Sequence, residues 1–147
     1  MNFYVYSRQK AKKESYRLKT PTLIISVTDP SEGLNNFARN RSIVAICHVQ
    51  FDDVTPESVG ADDVLMTERD AEKIRDYVRA YKSKVENIIV HCEAGLSRSA
   101  GIMAAIEEHL TSAPSPIFTS EDYSPNLHCY ALTLEALTKE TAIEEDL

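Results

Sequence analysis

Ile88, Ile89 and Val90 run into His91-Cys92-Glu93-Ala94-Gly95-Leu96-Ser97-Arg98, and a helical pattern begins at Ser99. A strand that stops at a cysteine, with an arginine six positions on and small or polar residues between, can wrap its backbone N–H groups around an anion. The helix N-terminus that follows brings partial positive charge to the same point. Cys92 alone among the three cysteines falls between a strand end and a helix start. Helix dipole and Arg98 therefore both favour its thiolate, a nucleophile that needs no separate base. Arg98 carries a planar fork that grips two phosphate oxygens at once and follows the equatorial oxygens during transfer, which a lysine does less well. Gly95 permits a tight turn with the amides of Glu93, Ala94, Leu96 and Ser97 facing inward.

Two neighbours of the loop have two readings each. Ser99 can donate a hydrogen bond to the Cys92 sulfur and make it a better leaving group, or can cap the first helical turn. His91 points to the other face of the strand from Cys92, which suits support of the loop backbone and thiolate from behind, or plain core packing, better than acid catalysis. A cysteine packed as a small hydrophobe would explain Cys92 but not Gly95, Ser97, Arg98 and Ser99 beside it.

The elements that must position this loop follow from apolar patterning. Phe3–Tyr6 alternates weakly, as a short edge strand does, and Ser7 can cap a polar helix over residues 9–16. Residues 22–28, Thr-Leu-Ile-Ile-Ser-Val-Thr, form a β-branched run typical of a buried strand. Asp29, Pro30, Ser31, Glu32 and Gly33 close it in a turn. A second apolar run covers residues 43–51 and stops at Asp52-Asp53, and a loop follows over residues 54–63. Thr67 offers an N-cap with Asp70 three positions on, ahead of Ile74, Tyr77, Val78 and Tyr81 at helical spacing. Residues 85–90 form a further strand. The helix after Arg98 presents Ile102, Met103, Ile106 and Leu110, and breaks before Pro114 and Pro116. Ser124-Pro125-Asn126 precedes a last helix through Leu127, Tyr130, Leu134 and Leu137, and the acidic tail 144–147 is expected to fray. Strands alternating with helices predict an α/β fold, a three-layer sandwich with a central, mostly parallel sheet flanked by helices. The cysteine loop then sits at the carboxyl end of a strand, where such folds hold ligands.

A chain of 147 residues with 43% hydrophobic content suffices for one domain, residues 1–147, that folds without disulfides or metals. The net charge of -7, with no basic stripe interleaved with aromatics, speaks against nucleic acid and anionic membranes as partners. Lys10, Lys12 and Lys13 read as a solvated face. Cys47, Cys92 and Cys129 form no C-x-x-C pair, which excludes a zinc site of that spacing and fits a reducing compartment. The opening ten residues lack the apolar run of a signal peptide and no stretch has the length of a membrane span, so a cytoplasmic location is expected. Cys47, on a strand expected to neighbour the active site, is either a redox partner for Cys92 or buried packing.

The nine residues His91 to Ser99 resemble the signature loop of the cysteine-dependent protein tyrosine phosphatases, and the alanine, glycine and serine resemble the dual-specificity branch. That resemblance implies a dual-specificity phosphatase-like fold and an aspartic acid that protonates the leaving oxygen and then helps water attack a phosphocysteine. Val49-Gln50-Phe51-Asp52-Asp53 resembles the strand end that delivers this acid, with Asp53 in its place and Asp52 in the preceding polar position. Asp62 and Asp63 are weaker alternatives. Ser124-Pro125-Asn126 resembles the tripeptide that opens a late helix in the same branch, which gives Asn126 a supporting role. The resemblance covers residues 46–53, 88–104 and 124–134, and the first 40 residues match no motif of it.

The resulting expectation is a metal-free phosphomonoesterase without cofactor. Cys92 attacks phosphorus, Arg98 and the amides of residues 93–97 hold phosphate- or sulfate-type anions, and Asp53 protonates the leaving group. Phosphotyrosine and phosphoserine/threonine proteins or peptides are favoured over inositol lipids, because Glu93 and Leu96 stand where lipid phosphatases of the superfamily place lysines. The competing readings are a rhodanese-like sulfurtransferase or arsenate reductase, and an inactive module that captures phosphopeptides.

Overall fold

The computed structural model describes residues 1–139, so the acidic tail lies outside the described residues. Its strands are β1 (Asn2–Ser7), β2 (Thr22–Thr28), β3 (Ile43–Gln50) and β4 (Asn87–Cys92). Its helices are α1 (Arg8–Ser15), α2 (Glu68–Tyr81), α3 (Arg98–Thr111) and α4 (Leu127–Thr138), with a 3-10 turn at Pro116–Thr119 that the sequence pattern did not predict. The four strands form one all-parallel sheet in the order β1-β4-β2-β3. β2 and β4 occupy the middle and are buried at every position, which is why both read as unbroken apolar runs rather than as an alternation. β1, at the edge, keeps the mixed burial its weak alternation announced.

Alternate residues of the central strands face two unequal layers. Leu23, Ile25, Val27, Ile88, Val90 and Cys92 join the main core with α2, α3 and α4. The other face carries Ile24, Ser26, Ile89 and His91, all buried, and the thinner cover over it includes α1 and the segment after it. Ser15 Oγ accepts from the Ala38 N–H at 2.9 Å, and Asn40 Nδ2 donates to the carbonyls of Ser15 and Leu18 at 2.9 Å each. The three-layer α/β sandwich is thus as expected, with eight residues of helix on one side.

Helix starts follow local chemistry. Ser7 caps α1 by accepting from Lys10 N–H at 3.1 Å. Thr67 and Asp70 form a reciprocal capping box at the start of α2, which buries Ala71, Ile74 and Val78. α3 is buried without interruption from Arg98 to Ile106, because β4 and β1 cover one side and α4 another. Gly101 makes that second contact possible: a Cβ there would lie 2.3 Å from the Asn126 carbonyl oxygen.

The strand order decides between the two readings of Cys47. Cys47 does not neighbour Cys92, because β2 intervenes: Ile25 pairs with Cys47 on one side and Val90 on the other. Two strand spacings amount to about 10 Å, beyond the roughly 7 Å Cα separation that a disulfide tolerates. Burial also pushes the Cys47 thiol up to about 12.

Candidate active site

Because all four strands run the same way, Ser7, Thr28, Gln50 and Cys92 end at one edge of the sheet. Much of what touches the loop from Cys92 to Arg98 departs from that edge, and the segment before α4 supplies the rest. Gly95 has φ +75°, and a Cβ on it would fall 2.6 Å from both the Ser7 nitrogen and the Tyr6 carbonyl carbon. The loop therefore closes directly against the end of β1, and only glycine fits there.

Cys92 is 2% exposed, and its Sγ lies 3.0 Å from the Ser99 hydroxyl, itself fully buried. Among the described residues the N–H groups of residues 93–97 have no protein acceptor, whereas the loop carbonyls do: Arg8 N–H donates to Glu93, Ser124 N–H to Leu96, and Asn126 N–H to Ser97, at 3.2, 2.9 and 3.0 Å. The carbonyls are drawn into the scaffold and the amide donors are left without a protein partner among the described residues, an arrangement able to hold an anion. Side chains of the loop also have other engagements. Glu93 pairs with Arg8 at 3.1 Å, Leu96 is 49% exposed, and Ser97 Oγ donates to Asp53 Oδ1 at 2.8 Å.

Arg98 is buried and held by one nitrogen. Its Nη1 donates to Asp29 Oδ1 and to the Phe51 carbonyl, both at 2.7 Å, while the buried Nε has no partner among the described residues. The ends of β2 and β3 thus supply the two acceptors. Gln50 in turn orders the Asp29 turn, its Nε2 donating to Thr28 Oγ1, to the Asp29 carbonyl and to the Glu32 carbonyl at 3.1, 3.3 and 3.1 Å. Asp29 is a site residue that sequence reasoning assigned to a turn. Its only signal was its place at the carboxyl end of a buried strand. Asn35, also passed over, donates to the Arg8 carbonyl at 3.1 Å and approaches His91 Nε2 at 3.3 Å.

His91 lies behind the loop, on the opposite face of β4 from Cys92. Nδ1 donates to the Cys92 carbonyl at 3.2 Å, and Nε2 faces the Ser26 hydroxyl at 2.6 Å. Burial drives the imidazole down to about 4, against that carbonyl bond and with help from the charges of Arg8, His48 and Arg98. The ring is neutral at pH 7 and holds the backbone of Cys92.

Asp53 stands at the opposite rim. Its Oδ1 accepts from Ser97 Oγ and from Asn126 Nδ2, at 2.8 and 3.0 Å, and its Oδ2 has no partner among the described residues. Asn126 also donates to the Val54 carbonyl at 3.1 Å and caps α4 by accepting from Cys129 N–H at 3.1 Å. Asp52 is turned to a different task. Its Oδ2 accepts from Val64 N–H at 2.7 Å and its own N–H donates to the Val64 carbonyl at 2.7 Å, which pins the base of the loop that Asp53 begins. Asp62 and Asp63 lie further along that loop, where Asp63 accepts from Gly60 N–H at 2.8 Å. Cys129 is buried beneath the site, and burial first, then the charge of Asp53, pushes its thiol up to about 12.

The model of the dual specificity phosphatase catalytic domain matches residues 3–106. The chain belongs to this family. The match takes in residues 3–40, where the sequence alone offered no motif, and it favours the phosphatase reading over the sulfurtransferase and arsenate reductase readings. No curated protein matches the chain in sequence. Solved structures of similar fold include the human tyrosine phosphatase-like serine/threonine/tyrosine-interacting protein, 15% identical, with a TM-score of 0.65 over 91% of this chain and 89% of that one. PTPMT1 in complex with PI(5)P is 14% identical, with a TM-score of 0.55 over 92% and 90%. Cydia pomonella PTP-2 phosphatase is 13% identical, with a TM-score of 0.56 over 91% and 84%. At these identities the likeness is one of fold, and the dual specificity phosphatase domain of this chain rests on the family match.

Proposed function

We propose that the protein is an active cysteine-dependent phosphomonoesterase that works on phosphotyrosine and on phosphoserine/threonine in proteins or peptides. The observation that carries this reading is the state of Arg98: one end of the guanidinium is fixed by Asp29 and the Phe51 carbonyl, and the buried Nε beside the cysteine loop is uncommitted. A buried donor without acceptor costs free energy, and a phosphoryl oxygen satisfies it.

In the proposed first step the Cys92 thiolate attacks phosphorus, an S–P bond forms, and the P–O bond to the leaving group breaks. The Oδ2 of Asp53 gives its proton to the departing oxygen, held by Ser97 and Asn126 through Oδ1. In the second step the Asp53 carboxylate takes a proton from water as that water attacks phosphorus, and the S–P bond breaks toward sulfur. The Ser99 hydroxyl donates to the departing thiolate. Arg98 and the amides of residues 93–97 follow the three equatorial oxygens throughout. No metal or cofactor enters the scheme. A cytoplasmic location is part of the proposal, and the three cysteines without a disulfide, Cys47, Cys92 and Cys129, are consistent with a reducing compartment.

The test is hydrolysis of an aryl phosphate in chelator by wild type, Cys92→Ser and Asp53→Asn. Cys92→Ser abolishes turnover, and Asp53→Asn lowers kcat by about 10²-fold or more. Equal rates for wild type and Cys92→Ser sink the mechanism. Tight phosphopeptide binding with no turnover by wild type would instead mark an inactive binding module.

A further inference from the structure

Two grooves open at the two ends of the cysteine loop, and their walls differ in charge. The first, about 350 Å³, is lined by Arg8, Gln9, Lys12, Asn35, Asn36 and Glu93. The second, about 620 Å³, includes Asp53, Pro56, Glu57, Ser97, Pro125 and Leu127. Each contains one residue of the loop, Glu93 or Ser97, so an occupant of either groove lies beside a phosphate held by Arg98.

The chain segments behind these walls are polarised as well. Residues 1–20 carry Arg8, Lys10, Lys12, Lys13, Arg17 and Lys19 against Glu14 alone. Arg8 is neutralised by Glu93 at 3.1 Å and Arg17 by Glu14 at 3.7 Å, while Lys10, Lys12 and Lys13 have no carboxylate partner among the described residues. Residues 51–67 carry Asp52, Asp53, Glu57, Asp62 and Asp63 with no lysine or arginine, and none of these acids is ion-paired among the described residues. In a chain of net charge -7, the unpaired Lys12 of α1 in the first groove thus stands on the opposite side of the site from the unpaired Asp53 and Glu57 in the second.

We propose that this polarised rim selects a phosphorylated peptide that is acidic on the side facing α1 and basic on the side facing the loop of residues 52–63. The proposal rests on the phosphatase reading and names the substrate class within it. An extended peptide advances about 3.3–3.6 Å per residue, so the residues within three positions of the phosphorylated one overlie the two grooves. Rim charges of this kind set orientation and partner choice more than affinity. An anionic bilayer fits the same rim poorly, because a surface that meets the lysines of α1 also meets the acidic loop across the mouth.

Four phosphopeptides test the proposal: Asp-Asp-pTyr-Lys-Lys, its mirror Lys-Lys-pTyr-Asp-Asp, and the uniformly acidic and uniformly basic versions. An exposed charge pair contributes about 0.2–1 kcal/mol. Two such contacts predict that one of the two polarised peptides exceeds both uniform ones by roughly twofold to thirtyfold in kcat/KM at low salt. The advantage fades at about 1 M salt, where the screening length is about 3 Å. The charge swap Lys12→Glu with Glu57→Lys moves the preference to the mirror peptide.

Equal values for all four peptides, a uniform peptide ahead of both polarised ones, or faster turnover of phosphatidylinositol monophosphate vesicles than of any peptide overturns the proposal. Binding of the same peptides to Cys92→Ser separates the two claims. Preference in binding without turnover of any ester by wild type supports the polarised rim and sinks the phosphatase reading. Turnover of an aryl phosphate with no preference among the peptides sinks the rim alone.

Discussion

Asp29→Ala removes the one carboxylate that touches Arg98. The Arg98 side chain is 6% exposed and that of Asp29 is 31% exposed, with 2.7 Å between Nη1 and Oδ1. Breaking a fully buried pair costs about 3–5 kcal/mol, and a charged hydrogen bond contributes about 1.5–3 kcal/mol. Water reaches the Asp29 end, so the lower range applies and about 2 kcal/mol is expected. For a chain of this size that lowers the melting temperature by about 4–8 °C. The kinetic effect is larger, because a guanidinium held only by the Phe51 carbonyl can swing, and a misplacement of about 1 Å costs roughly 10²-fold. The assay pairs thermal unfolding with aryl phosphate kinetics. Asp29→Ala should lose kcat by at least about tenfold, with a smaller change in inhibition by inorganic phosphate, since the positive charge remains. Asp29→Asn, which keeps an acceptor, should fall between. A wild-type melting temperature together with wild-type kcat in Asp29→Ala would refute the idea that one end of Arg98 must be anchored for the other to work.

Three further outcomes are expected. His91 has its folded value lowered to about 4 from the usual 6.5 by burial, so the unfolded chain binds the extra proton between those values. Stability is fully present above about pH 6.5 and falls by up to about 3 kcal/mol as pH drops toward 4. His48 and His109 are lowered in the same direction, and urea midpoints against pH should flatten, but not become level, in His91→Gln. Gly95→Ala forces a Cβ to 2.6 Å from backbone atoms of Tyr6 and Ser7, so either the protein fails to fold or the loop opens. A folded variant with wild-type phosphate affinity would contradict the close contact between loop and β1. Mild peroxide should give no Cys47–Cys92 disulfide in the folded protein, and an intact-mass loss of two hydrogens that disappears in Cys47→Ser would show that β2 does not keep them apart.

Much of this architecture is legible from local chemistry. Residues 22–28 read as a buried strand because β-branched side chains fill five of the seven positions, and Thr67 with Asp70 marks a helix start because the two groups satisfy each other's backbone donors. The cysteine loop is legible for the same reason: its residues and their spacing belong to one contiguous turn. What escaped depends on contacts between distant segments. Strand order is invisible in a parallel sheet whose connections are long, which is why the sequence leaves Cys47 open between a redox partner for Cys92 and buried packing. Asp29 looks like any acid in a turn until β2 is known to lie next to β4. Asn35 owes its position to Arg8 and His91, and the lysines of α1 gain meaning only once α1 is seen beside Glu93.

Asn126 divides its amide between two duties, with the oxygen starting α4 and the nitrogen fixing Asp53. The family match ends at residue 106, twenty residues before this side chain. The N–H groups of Ser124 and Asn126 hold the Leu96 and Ser97 carbonyls as well, so the cysteine loop and Asp53 are braced by the same later stretch of the chain. A chain emerging from the ribosome would hold Cys92, Arg98 and Asp53 before the loop or the aspartate was braced, and would gain both braces together when the start of α4 came to rest on Gly101.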